Sequence, residues 1–154
     1  MDFDTLYHGS TVAVPHPQLL PSKYTKDFGP GFYCTSIQTQ AQRWATRRTN
    51  GVVTTYTYNI NTALKILTFK SLSEDWLDFI VNCRTGIPHD FDIVEGPMAD
   101  DEIFFTVQTY LRGEISREAF WAMAKFRYTT HQISFHTKSA LSTIKYLGHQ
   151  EVNR

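Results

Sequence analysis

The sequence predicts a single α+β domain over residues 1–154. Three observations lead there. Runs rich in Val, Thr, Tyr and Phe intermix with helical-period stretches, without the regular strand and helix alternation of a parallel sheet. Glycine, proline and capping residues punctuate the chain at short intervals, and no repeat, low-complexity tract or linker separates two halves. A hydrophobic content of 42%, with 14% aromatic residues, is enough to bury one core in a chain of 154 residues.

Asp4 to His8 is a short β-prone run that ends at the turn signal Gly9-Ser10, which places His8 at a strand end. Pro15, Pro17 and Pro21 exclude regular structure from the next stretch, because proline lacks the N–H and restricts its predecessor. Gly29-Pro30-Gly31 opens a strand at Phe32–Cys34. Thr35 with Gln38 then forms a capping-box start for a helix whose apolar side is Ile37, Ala41, Trp44 and Ala45, stopped by Asn50-Gly51.

Two further strands are expected over Val52–Ile60 and Leu64–Phe69. Ser71 with Glu74 caps a helix in which Leu72, Trp76, Ile80 and Cys83 recur at helical spacing until Gly86. Phe91–Glu95 reads as a strand. A helix capped by Asp100 runs through Ile103, Val107 and Leu111 to Gly113. Ser116 begins another, with Phe120, Met123 and Ala124 inward. The strand Gln132–His136, a short helix from Thr137 and a last strand around Tyr146 complete the series.

Fifteen basic residues balance fifteen acidic ones, so no overall field draws the chain to nucleic acid or anionic lipid. Cys34 and Cys83 lack the spacing of a zinc or redox motif and read as free thiols. The six histidines show no metal-ligand spacing with acids, so no metal site is expected. Neither a charged-then-apolar leader nor an apolar run of membrane-spanning length is seen, so a cytoplasmic protein without membrane contact is the expectation.

Two segments carry the chemistry. In Leu6-Tyr7-His8-Gly9-Ser10 a histidine precedes a glycine at a strand end. In Lys26-Asp27-Phe28-Gly29-Pro30-Gly31-Phe32-Tyr33-Cys34-Thr35 two glycines allow backbone to approach a flat ligand, and an aromatic follows on a rigid strand. As an ordered pair they resemble the ADP-ribosyltransferase superfamily, in particular its poly-ADP-ribose-polymerase-like branch. The resemblance extends to a small bacterial family encoded beside antitoxin-like genes. It covers most of the chain, through Leu6–Ser10, Lys26–Thr35, Gln40–Trp44, Asp92–Asp101 and Gln132–Phe135.

The resemblance implies a split sandwich of two small antiparallel sheets with flanking helices and NAD+ in the cleft between them. His8 would bind a ribose hydroxyl. Gly9 and Ser10 would hold the nicotinamide carboxamide, and Tyr33 would lie against the nicotinamide ring, with Gly31 giving the backbone close approach. Trp44, eleven residues on, is either a second stacking aromatic or a core residue. Arg43, Arg47 and Arg48 make a basic helix face, with Lys23 and Lys26 in the preceding loop. That face is either solvated or set to hold the pyrophosphate and steer an RNA or DNA acceptor.

Gln132 departs from the pattern, standing where many relatives carry a glutamate that binds the ribose 2′-hydroxyl and stabilises the oxocarbenium-like ion. An amide keeps the hydrogen bond and loses the charge, which at 4 Å and an effective dielectric near 20 is worth about 4 kcal/mol. Either another carboxylate supplies it, with Asp100 and Asp101 as candidates, or the acceptor needs little activation. Acids at a helix start are also favoured by the cap and dipole alone.

The implied reaction is mono-ADP-ribosyl transfer from NAD+ to a macromolecule, nucleic acid or protein. The implied setting is a bacterial toxin or antiphage effector with an antitoxin partner. A non-catalytic NAD+ or ADP-ribose binder and an NAD+ glycohydrolase are the alternatives.

Overall fold

The computed structural model describes residues 3–19, 26–99, 101–124 and 130–154, with backbone alone for 101, 102 and 104. Seven strands and five helices are formed among the described residues. One sheet has the order β1 (Thr5–Ser10), β3 (Gly51–Tyr58), β7 (Ile144–Val152), antiparallel throughout. The other has the order β2 (Phe32–Cys34), β6 (Gln132–Phe135), β5 (Ile93–Gly96), β4 (Ile66–Thr68). It is mixed, because β4 and β5 are parallel and joined through helix α2 (Glu74–Arg84). A wholly antiparallel pair of sheets is therefore corrected to two mostly antiparallel ones, since a parallel pair needs a crossover long enough to hold a helix.

Side-chain alternation produces the layers. Leu6, Tyr56, Tyr58 and Ile144 of the first sheet meet Phe32, Cys34, Ile93, Ile133 and Phe135 of the second in a core between the sheets. On the second sheet's other face, Val94 packs with Trp76, Leu77 and Ile80 of α2, Ile103 and Val107 of α3 (Asp101–Leu111), and Phe120 and Ala124 of α4 (Arg117–Ala124). Helix α1 (Gln38–Ala45) sets Ala41 and Ala45 against Val53 on the outer face of the first sheet. A short helix α5 (Lys138–Leu141) precedes β7.

Two glycines make the α1 contact. A Cβ on Gly9 would overlap the Ala41 carbonyl oxygen, and one on Gly51 would overlap that of Ala45. The helix backbone thus lies directly on the strands. Gly9→Ala is expected to destabilise the fold by about 1–3 kcal/mol, since α1 must lift to admit the methyl. A urea midpoint unchanged from wild type would refute this.

Several boundaries differ from expectation for local reasons. β1 does not end at His8, because Gly9 and Ser10 still pair with Val53 and Val52. Thr35 does not cap α1. Its backbone bridges to Tyr7, its hydroxyl accepts from Ile37 N, and Ile37 is the N-cap without a side-chain bond. Helix α1 stops at Ala45 rather than running to Asn50, and Gly51 already belongs to β3. Ser73, not Ser71, caps α2 by accepting from Trp76 N. Met123 is exposed, not inward. The last strand spans nine residues, far longer than its mostly polar sequence suggested. Gly86 and Gly113 do terminate helices, with φ of 92° and 72°.

His136, just past β6, fixes the start of β2. Its Nδ1–H donates to Pro30 O at 2.7 Å, and its Nε2 receives the Ser134 hydroxyl at 2.7 Å. Burial, aided by neighbouring His89, drops its pKa to about 4. Folding therefore holds this imidazole neutral. Its contribution is complete above about pH 6.5, the ordinary value, and is lost as pH falls toward 4, on the order of 3 kcal/mol in all. Urea midpoints at pH 7 and pH 5 should show the loss, and His136→Gln should reduce it. Equal slopes in both proteins would contradict the assignment.

Candidate functional site

Where the ends of the two sheets meet, His8, Gly9, Lys26, Asp27, Tyr33, Trp44, Arg47, Arg84, Met98, Ala99 and Gln132 line a cleft of about 290 Å³. Five of the positions picked from the sequence, His8, Gly9, Tyr33, Trp44 and Gln132, come together here from four separate elements. Trp44 is half-buried in the wall rather than lost in the core.

His8 projects from the face of β1 that looks toward the second sheet and stacks on Phe32, with ring centroids 4.3 Å apart. Its Nδ1 lies 2.6 Å from Tyr33 O. A carbonyl only accepts, so Nδ1 carries the proton and Nε2 keeps its lone pair. Burial lowers the His8 pKa, the Tyr33 carbonyl opposes that, and Lys26 adds to it. The ring is thus a neutral acceptor, fixed in tautomer and orientation.

Tyr33 offers its ring, not its hydroxyl. The phenol donates to Gly29 O at 2.6 Å and accepts from Phe28 N at 3.0 Å. Burial, then the charge of Asp27, raises its pKa well above the ordinary phenol value. Lys26 Nζ sits 5.8 Å from the ring centroid, so the ring already attracts a cation.

Among the described residues the carboxylate of this site is Asp27, which sequence reasoning passed over. Asp27 is 5% exposed. One oxygen pairs with the Arg84 guanidinium, itself buried, and the other receives Ala99 N at 2.8 Å and Gln132 Nε2 at 2.8 Å. Gln132 is 5% exposed, and its Nε2 also lies 3.4 Å from Pro97 O. With its amino group spent on Asp27, Gln132 Oε1 is the end left to accept from a ligand. The only hint in the sequence was position, since Asp27 sits one residue before the Phe-Gly turn that Tyr33 closes.

Other expected positions lie elsewhere. Ser10 is outside the cleft lining, its hydroxyl donating to Val12 O at 2.6 Å. Gly31 does not face the cleft either. A Cβ there would meet His136 and the Phe135 carbonyl, so this glycine serves strand packing, and Gly29 serves a turn with φ of 82°. Arg43 lines a separate shallow hollow with Glu151 and Val152, and Arg47 takes its place at the cleft. Asp100 lies outside the described residues, and Asp101 opens α3 with only its backbone described.

Cys34 and Cys83 are buried free thiols, and burial raises the pKa of both. No helix among the described residues is long and apolar enough to cross a membrane.

Among the described residues the cleft lining sets Lys26, Arg47 and Arg84 against the carboxylate of Asp27, so it favours an anionic ligand group beside a neutral hydrogen-bond acceptor and two aromatic rings. A search of curated proteins gives no match. The family model described as Protein of unknown function (DUF3990) matches residues 5–146. With nearly all of its length matched, the chain belongs to the DUF3990 family.

Proposed function

We propose that the cleft binds NAD+ and that the protein is a mono-ADP-ribosyltransferase of the ADP-ribosyltransferase fold. The observation that carries the reading is the fixed neutral His8 beside the Tyr33 ring and Gln132 in one cationic cleft. His8 Nε2 accepts a ribose hydroxyl. Tyr33 and Trp44 take the flat cationic ring, displacing Lys26 toward the pyrophosphate, where Arg47 also contributes. Gln132 Oε1 accepts the 2′-hydroxyl.

The charge missing from Gln132 comes in part from Asp27, one bond behind it, so departure of nicotinamide builds positive charge toward a polarised amide rather than toward a bare carboxylate. Chain extension is not expected of such a site. A toxin or antiphage role, with an RNA, DNA or protein acceptor and an antitoxin as partner, follows from the sequence resemblance alone.

A binder without turnover is the second reading, and one observation favours it: Arg84 offsets the very charge that Asp27 would lend. Labelled NAD+ incubated with separate protein, RNA and DNA pools distinguishes the two. Label in one pool with release of nicotinamide supports the transferase. Free ADP-ribose without a labelled pool points to a glycohydrolase, bound but intact NAD+ to the binder, and no binding overturns the donor assignment.

A further inference from the structure

A second and larger cavity, of about 800 Å³, opens on the other side of the Pro97–Met98 segment. Its walls are largely apolar, with Phe69, Leu72, Ile103 and Trp121 among them, yet it also holds Ser36, Glu95 and His131. His131 Nδ1 receives Ser36 N at 3.0 Å, and its Nε2 lies 3.0 Å from Glu95 Oε1. Nδ1 must keep a lone pair to accept that amide. The ring is therefore neutral, and it donates one Nε2–H to Glu95.

Ser36 Oγ is also 3.1 Å from Nδ1, completing a Ser-His-Glu chain. It is not a nucleophile and base: the backbone amide already occupies the lone pair that would take the serine proton, and the next amide, Ile37 N, is spent on Thr35 Oγ1. The chain instead holds the Glu95 carboxylate in place. Gln40 secures it from behind, because its Oε1 accepts from His131 N at 3.2 Å and its amino group donates to His131 O.

Glu95 has a side chain 10% exposed, and its second oxygen is buried without a hydrogen-bond partner. A single hydrogen bond from a neutral imidazole does not compensate a buried carboxylate. Lys70, the one cation that the described residues bring to the lining, is exposed and forms no ion pair among them. Trp121 Nε1 is likewise buried without a partner in the same wall. The cavity thus presents an unmet negative acceptor, an unmet donor and an aromatic face within apolar walls.

We propose that this cavity is a ligand site for an organic cation, an ammonium on an apolar body, with its charge against Glu95 and its body against Trp121, Phe69 and Leu72. The site is independent of the NAD+ reading and, among the described residues, shares only Met98 with that cleft.

Tyramine, which pairs an ammonium with an aromatic ring and a hydroxyl, is a suitable probe, and 4-propylphenol is its uncharged counterpart. Titration is followed through the indole N–H signals in two-dimensional NMR, with the Trp121 signal assigned by its loss in Trp121→Phe. Saturable movement of that signal is expected with tyramine, with affinity at least about ten-fold weaker for 4-propylphenol and for tyramine with Glu95→Gln. Glu95→Gln preserves the acceptor for His131, and the dispersion of its spectrum reports folding. No saturable shift with wild type, or equal affinity for the neutral probe, overturns the proposal whether or not Glu95→Gln folds. Equal affinity of a folded Glu95→Gln does so too.

Discussion

Asp27→Ala is expected to lower stability by about 3–5 kcal/mol, the loss seen when one member of a buried ion pair is removed. The change removes the carboxylate beside a buried guanidinium and the acceptor shared by Ala99 N and Gln132 Nε2. Part of the cost is the loss of the counter-charge beside the buried Arg84, so replacing both members should cost less than the two single changes together. Urea denaturation of Asp27→Leu, Arg84→Met and the double variant gives that cycle. Additive losses, or a single loss under about 1 kcal/mol, would mean that the pair is not the closed buried contact described.

Gln132→Glu is expected to destabilise the protein instead of restoring a lost catalytic group. The new carboxyl would face the Asp27 oxygen from the 2.8 Å position now held by an amide nitrogen. Two charges at that distance repel by about 6 kcal/mol at an effective dielectric of 20. Protonating one carboxyl at pH 7 costs about 4 kcal/mol, so the pair takes up a proton and the penalty stops there.

The introduced group thus has a folded-state pKa above its unfolded one. Its penalty is absent below about pH 4 and grows as pH rises toward the folded value. Chemical denaturation from pH 4.5 to pH 8 should show the variant falling progressively below wild type. A constant difference across that range would show that Asp27 is not the amide's partner.

The α+β class, and the strands that bring His8, Tyr33 and Gln132 to the cleft, were legible in the sequence because they follow from local pattern. Gly86 and Gly113 stop helices where glycine takes a positive φ, and Phe32, Ile133 and Phe135 read as strand residues through their type alone. What escaped depends on contacts between distant segments. Asp27 looked like part of a loop, and only the fold brings it to Arg84 and Gln132, 57 and 105 positions away. Glu95 and His131 were passed over for the same reason.

Gly9 and Gly31 were read for ligand approach, whereas Gly9 also admits a helix and Gly31 a neighbouring strand end, which sequence position cannot distinguish. The parallel β4–β5 pair was missed because short strands carry no mark of direction, and the full length of β7 because pairing with β3 holds a polar segment extended that would otherwise be solvated.

Among the described residues a backbone seam joins the edges of the two sheets. Tyr7 and Thr35 exchange both amide bonds, at 2.8 and 2.9 Å. His8 is the next residue after one partner, and Tyr33 stands two before the other. Any molecule that grips both side chains therefore spans the seam like a clasp, and opening of the sheets there must first release it. The amide protons of Tyr7 and Thr35 become a built-in gauge of occupancy: their exchange with solvent should slow when the cleft is filled, with no chemical step needed to report it.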